Sequence, residues 1–206
     1  MFEHAGVLLY EGFQPLDAVG PFDALSVGAT RDSSPGFEVS LVTVEPTDRV
    51  TSDYGVTVEP HGTVDGADPP VDLLVVPGGG WNDRGDRGAR AEAERGVVPE
   101  LLAEQAAAGV TVAGVCTGGM LMERAGLLDG RPGVTHPGAM DDLRATDAEV
   151  VDARVVDDGD LLTCGGVTSG IDLALHILER EFGADLAAEV AGVLEHEPRG
   201  PVHRSA

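Results

Sequence analysis

The chain has 206 residues, 42% of them hydrophobic, which predicts one folded domain with a sizeable core. Its 36 acidic residues outnumber 13 basic residues, all arginine, and the net charge of −23 excludes nucleic acid as an expected partner. The acids are scattered along the chain, which is typical of a halophilic protein that stays soluble in a salty cytoplasm. No leader peptide and no membrane-spanning run is evident, so we expect a cytoplasmic protein with no membrane partner.

Apolar runs that are typical of buried strands alternate with segments of helical character. Strands are predicted at residues 5–10, 37–44, 71–76 and 110–115, and a hairpin at residues 150–164. Helices are predicted from residue 15, and over residues 98–108, 171–182 and 185–194. Pro21 predicts a bend or break in the first helix near Gly20. The alternation predicts an α/β three-layer sandwich with a mostly parallel sheet over residues 1–195, followed by a flexible tail over residues 196–206.

The chain is organised around Cys116, which ends an apolar strand and precedes two glycines and a helical segment. A strand, a tight turn and a helix with a nucleophile at the turn form a nucleophile elbow, which exposes the side chain at the top of a sheet. The start of the following helix favours a thiolate and predicts a lowered thiol pKa. The alternative is that Cys116 is only a small buried hydrophobic residue.

Other candidate site residues follow the ends of the earlier strands. Asp17 lies just past the first strand, at the edge of the sheet where open α/β folds bind ligands, although it could simply complement a helix dipole. Gly78, Gly79 and Gly80 follow the strand at residues 71–76 and allow a ligand to approach the backbone. Trp81 comes next and either forms a wall of the pocket or packs in the core.

Four motifs together resemble the ThiJ/PfpI superfamily, which has the class I glutamine amidotransferase-like fold of flavodoxin type. They are residues 12–17 (GFQPLD), 77–79 (PGG), 115–118 (VCTG) and 164–175 (CGGVTSGIDLAL). Asp17 and the sequence Cys116-Thr117-Gly118 are most similar to the isonitrile hydratase branch, whereas many relatives carry a glutamate at the position of Asp17. The resemblance implies a homodimer with the site near the subunit interface, and no cofactor or metal.

The resemblance implies that water is added to an isonitrile to give an N-substituted formamide. Cys116 would attack the terminal carbon, and Asp17 would donate a proton and then activate water to hydrolyse the thioimidate. A thiol and a carboxyl that share one proton would lower the pKa of the thiol and raise that of the acid. The backbone N–H groups of Gly79 and Thr117 are the candidates for stabilising developing charge.

Two side chains near the elbow leave alternatives open. The hydroxyl of Thr117 could orient water or substrate, or simply cap a helix. His136 lies where relatives with a Cys–His pair have their histidine, so it is either catalytic or part of the pocket lining, and the following Pro137 replaces an aromatic residue common in the isonitrile hydratase branch.

Two other functions fit the same residues. One is a glyoxalase-like, deglycase-like or amidase-like enzyme, or a peptidase, which a hydrogen bond between Cys116 and His136 would favour. The other is a redox-sensing or stress protein without catalytic activity, in which Cys116 is oxidised. A pocket too small for any substrate would favour that second function.

Overall fold

The structure, a computed structural model, describes residues 1–205 and has the α/β fold that the sequence predicts. Within these residues seven α-helices form: α1 (Pro15–Ala29), α2 (Ala89–Arg95), α3 (Val97–Ala107), α4 (Gly118–Arg124), α5 (Met140–Arg144), α6 (Ser169–Phe182) and α7 (Ala184–Val193). The strands are β1 (His4–Leu8), β2 (Glu38–Thr43), β3 (Val50–Thr51), β4 (Thr57–Val58), β5 (Gly62–Thr63), β6 (Leu73–Val76), β7 (Thr111–Val115), β8 (Pro132–Gly133), β9 (Glu149–Val150), β10 (Val155–Asp158), β11 (Leu161–Cys164) and β12 (Val202–Arg204).

The central sheet of the described residues has eight strands in the order β12-β10-β11-β7-β6-β1-β2-β5. Neighbouring strands are parallel except β10 and β11, which form the antiparallel hairpin that the sequence predicts. The central strands β1, β6 and β7 are almost continuously apolar, because helices cover both faces of a parallel sheet. Their carboxyl ends meet at one edge, which places the residues after β1, β6 and β7 together.

The helices form two groups that sandwich the sheet. Helices α1, α6 and α7 pack against one another, and α2, α3 and α4 form a second group. Apolar residues from both groups and from the sheet belong to one continuous hydrophobic cluster. No helix in residues 1–205 is both long and apolar enough to cross a membrane.

The break that the sequence allows in the first helix does not occur. α1 runs without a break from Pro15 to Ala29, with Pro21 inside it. Proline lacks an N–H, so Pro21 removes one helical hydrogen bond, the one to the carbonyl of Asp17. Gly170 lies against the proline ring, and a Cβ added there would be 3.1 Å from Pro21 Cγ. Close packing of α1 on α6 therefore holds the helix together where local propensity predicts a break.

The tail also differs from its prediction. The expected flexible segment at residues 196–206 contains β12, which pairs in parallel with β10. The expectation is therefore wrong for residues 202–204. The backbone N–H of Arg199 donates to Asp172 Oδ1 at 2.8 Å, and this bond fixes the chain just before β12.

Candidate active site

The backbone at Cys116 has the geometry of a nucleophile elbow, although the Cys116 side chain is buried and not exposed as the sequence predicts. Strand β7 ends at Val115, Cys116 has a φ of 56°, and α4 begins at Gly118. A positive φ is strained for a residue with a side chain and persists only where the surroundings enforce it. The Thr135 hydroxyl donates to the Cys116 carbonyl at 3.0 Å, and the Cys116 N–H donates to the Cys164 carbonyl at 3.2 Å.

The glycines around the elbow are required by close backbone contacts. At Gly118 an added Cβ would overlap the Val76 carbonyl, since α4 starts directly against the end of β6. Gly79 has a φ of 125°, and a Cβ there would lie 2.5 Å from the Gln14 backbone nitrogen. The ends of β6 and β7 and the start of α1 thus meet with no room for side chains.

Asp17 lies beneath the elbow, fully buried at 0% exposure, and interacts with the thiol of Cys116. Its Oδ2 accepts a hydrogen bond from the Gly78 N–H at 3.0 Å, while Oδ1 has no hydrogen-bond partner among residues 1–205. No cation pairs with this carboxyl in the described residues. Burial therefore raises the pKa of Asp17 to about 7, although the Gly78 N–H and the Cys116 thiol lower it in part.

The thiol itself does not have the lowered pKa that the sequence predicts. Burial, and then the nearby charge of Asp17, raise the pKa of Cys116 to about 12. Cys116 is only 5% exposed, and the N-terminus of the short helix α4 does not lower the thiol pKa enough to offset the effect of burial. Two backbone N–H groups, from Thr117 and Val167, face the sulfur and act in the opposite direction by favouring the thiolate.

A cavity of about 180 Å³ opens beside the thiol and contains most of the predicted site residues. Its lining consists of Gln14, Asp53, Tyr54, Gly79, Gly80, Trp81, Asn82, Asp83, Cys116, Thr117 and His136. Asp17 and Gly78 do not line it: both lie behind Cys116, and the predicted pocket residue Gly78 instead supports the Asp17 carboxylate.

Thr117 and Gly79 interact with each other. The Gly79 N–H donates to Thr117 Oγ1 at 2.9 Å, so this N–H is occupied and is not the free charge-stabilising donor that the sequence suggests. The Thr117 side chain makes no capping hydrogen bond to α4, so the helix-cap alternative does not hold. Because its oxygen accepts from Gly79, the hydroxyl hydrogen of Thr117 can point into the cavity that it lines.

His136 and Trp81 both line the cavity. His136 Nδ1 accepts a hydrogen bond from the Gly138 N–H at 3.0 Å, so the neutral ring carries its hydrogen on Nε2. No hydrogen bond joins His136 to Cys116 in the part of the chain that the structure describes. Trp81 is also part of the core cluster, and its Nε1–H donates to Asp142 at 2.7 Å, so both sequence interpretations of this residue apply.

Several site features were not found from the sequence. Val167 follows β11 and contributes an N–H to the sulfur, and only the order of strands brings it next to Cys116. Tyr10 is buried beside the pair, where its hydroxyl donates to the Pro77 carbonyl at 2.6 Å. The motif at residues 164–175 could have indicated the role of Val167, since a glycine-rich turn after a strand lies at the same edge of the sheet as Cys116. No group of three or more His, Cys, Asp or Glu residues within 1–205 could hold a metal ion.

The fold and site define a class of α/β proteins with a cysteine at a nucleophile elbow and an acid beneath it. The sequence profile of the DJ-1/PfpI family matches residues 3–180. Isonitrile hydratase from Pseudomonas putida is 37% identical over 196 residues, which cover 95% of this chain and 79% of that protein. A deglycase from Pyrococcus horikoshii is 30% identical over 171 residues, covering 82% of this chain and 91% of that protein.

Solved structures agree with this assignment. A ThiJ/PfpI family protein from Pseudomonas syringae superposes with a TM-score of 0.82 at 28% identity, covering 97% of this chain and 77% of that chain. The chain belongs to the DJ-1/PfpI family.

Proposed function

We propose that this protein is a cysteine-dependent enzyme that hydrates isonitriles to N-substituted formamides. The observation that carries the proposal is the buried pair of Cys116 and Asp17, which has an adjoining cavity and no cationic partner within residues 1–205. Similarity to the isonitrile hydratase of Pseudomonas putida over nearly the whole chain supports this reaction above others of the family.

The pair is suited to a reaction that needs both a nucleophile and a proton. Burial raises the pKa of Asp17 to about 7 and that of Cys116 to about 12, so between these values the pair holds one proton. The state with a thiolate on Cys116 and a proton on Asp17 is one arrangement of that shared proton. The N–H groups of Thr117 and Val167 favour this arrangement because they face the sulfur.

The first chemical step adds the sulfur and a proton to the same carbon. The sulfur of Cys116 forms a bond to the terminal isonitrile carbon, and the shared proton passes to that carbon, giving a thioimidate, R–N=CH–S–Cys. Because Asp17 lies behind the thiol and does not line the cavity, it exchanges its proton through the sulfur. In this proposal Asp17 therefore acts through Cys116, whereas the family resemblance has it donate a proton to the substrate and then activate water.

The second step is hydrolysis of the thioimidate. Water adds to the imidate carbon, one of its protons passes to the nitrogen, and the C–S bond breaks to release R–NH–CHO and regenerate the thiol. The Thr117 hydroxyl and His136 line the cavity at this point and can orient the water. The N–H groups of Thr117 and Val167 stabilise the departing thiolate as they stabilised the attacking one.

The substrate class follows from the lining. The cavity is small, and its side chains include the carboxylates of Asp53 and Asp83 but no arginine. Small uncharged alkyl or cyclohexyl isonitriles therefore suit it better than substrates that carry a carboxylate.

The decisive test is isonitrile consumption in molar salt, with formamide measured as the product. Wild type is compared with Cys116→Ala and Asp17→Asn, and Cys164→Ala serves as a matched control that removes the other buried thiol. We expect turnover in wild type and in the control, and a loss of at least about 10³-fold in both site variants. Absence of formamide formation by a wild type whose Cys116 still reacts with alkylating agents would overturn the proposal, and methylglyoxal consumption would then be measured.

A further inference from the structure

Asp172 is a buried carboxylate that the proposed chemistry does not use. It lies in the first turn of α6, and its side chain is 4% exposed. Its Oδ2 accepts from Arg154 Nε at 2.7 Å, and its Oδ1 interacts with His196 Nε2 at 3.1 Å and accepts from the Arg199 N–H at 2.8 Å. The carboxylate thus joins the hairpin, α6 and the C-terminal segment at one point.

Arg154 also contacts the loop that follows β11, residues 165–168 (the 165–168 loop). The Arg154 carbonyl accepts from the Gly165 N–H at 3.0 Å, at one end of the loop. Its guanidinium donates to Thr168 Oγ1 at 3.1 Å, at the other end. One residue therefore holds both ends of the loop, and Asp172 fixes the guanidinium that makes the second contact.

The 165–168 loop lies directly beside the reactive thiol. β11 pairs with β7 so that Cys164 is level with Val115, the residue before Cys116. The Cys116 N–H donates to the Cys164 carbonyl at 3.2 Å, directly before the loop, and the Val167 N–H within the loop acts to lower the pKa of the Cys116 thiol. A displacement of the loop would remove this donor without changing Cys116, Asp17 or the cavity side chains.

We propose that Asp172 and Arg154 are positioning residues that hold the 165–168 loop against the elbow, beside the thiol of Cys116. This proposal rests on Cys116 being the reactive residue of the proposed function, but not on which substrate it attacks. The C-terminal segment helps to hold Asp172 in place, because His196 and Arg199 both contact its Oδ1.

Asp157, on strand β10, provides a matched control whose partners also lie on α6. Asp157 has a side chain that is 8% exposed and, like Asp172, contacts a histidine, an arginine and a backbone N–H. Its partners His176 and Arg180 lie farther along α6, away from the 165–168 loop. Asp157→Asn therefore disturbs a similar buried network without reaching the thiol.

The test measures the rate at which iodoacetamide alkylates Cys116 as a function of pH, read by mass spectrometry of the Cys116 peptide. We expect Asp172→Asn to slow alkylation about tenfold at pH values where the wild-type thiol reacts, because a hydrogen bond to the thiolate is lost. Asp157→Asn should stay within about twofold of wild type even if it unfolds at a lower temperature. Thr168→Val, which removes only an exposed hydroxyl, should slow alkylation in the same direction and by less.

The outcomes separate the proposals from each other. Equal alkylation profiles for wild type, Asp172→Asn and Thr168→Val would overturn the positioning role, as would an equal slowing by Asp157→Asn. If Asp172→Asn does not fold, Thr168→Val decides alone. Because alkylation requires no isonitrile, a failure of isonitrile hydration leaves this result intact.

Discussion

Two buried aspartates in this protein have opposite surroundings. Among residues 1–205, Asp17 accepts one backbone hydrogen bond, pairs with no cation and has no hydrogen-bond partner for Oδ1, and burial raises its pKa to about 7. Asp157 contacts His176, Arg180 and the Gly159 N–H, and these partners outweigh burial and lower its pKa to about 2. Three partners make Asp157 a structural anion, whereas their absence leaves Asp17 able to hold or release a proton near neutral pH.

The stabilities of two variants test this difference most directly. At pH 8, Asp157→Asn should lower the free energy of unfolding by about 3 kcal/mol, because it removes the carboxylate that the buried His176 and the partly buried Arg180 contact. Asp17→Asn should leave the free energy of unfolding unchanged or raise it, because it removes a buried charge that has no partner. Urea unfolding at pH 8 measures both, and a large loss of stability in Asp17→Asn would contradict the comparison.

The pH dependence of stability should also differ between the two sites. The folded state raises the pKa of Asp17 above its ordinary 3.8, so its destabilising effect grows between pH 3.8 and about 7 and is complete above that range. Asp157 has a lowered pKa, so its contribution is present above pH 3.8 and is lost as pH falls towards about 2. When the urea series is repeated from pH 4 to 8, the free energy of unfolding of wild type should fall relative to that of Asp17→Asn as pH rises.

Turnover should follow the first proton of the Cys116–Asp17 pair. We expect kcat/KM for an alkyl isonitrile to rise about tenfold per pH unit below pH 7 and to level off above it. If Asp17→Asn keeps some activity, its kcat/KM should rise at a higher pH than in wild type, since the Cys116 thiol must then lose its proton without a neighbouring carboxyl group. A profile that is flat through pH 7 in wild type would show that the pair does not control the reaction.

The smallest expected effect concerns the exposed carboxylates that line the cavity, which contrast with the buried carboxylates of Asp17 and Asp157. Changing Asp53 and Asp83 together to asparagine should raise kcat/KM for a carboxylate-bearing isonitrile by about threefold at low salt. The value for a neutral isonitrile should not change, and molar salt should remove the difference. An equal effect on both substrates would indicate a change of shape and not of charge.

The main features of the fold and the position of Cys116 at the turn between β7 and α4 could be predicted from the sequence because they depend on local patterns. Apolar runs, the glycines after Cys116 and the motif at residues 12–17 each carry their own signal. The role of the Val167 N–H could not be predicted, since it depends on β11 lying next to β7. The direction of the thiol pKa was wrong because burial is a property of packing, which the elbow motif does not report.

The strand β12 has a consequence for protein engineering. It covers the outer edge of β10, where the hydrogen-bonding groups of Val155 to Asp157 face Val202 to Arg204. A chain shortened before residue 202 would leave that row of backbone groups open to any extended peptide, including the β10 edge of another molecule. Removal of residues 202–205 should therefore favour self-association through this edge of the sheet, next to the segment in which Arg199 contacts Asp172.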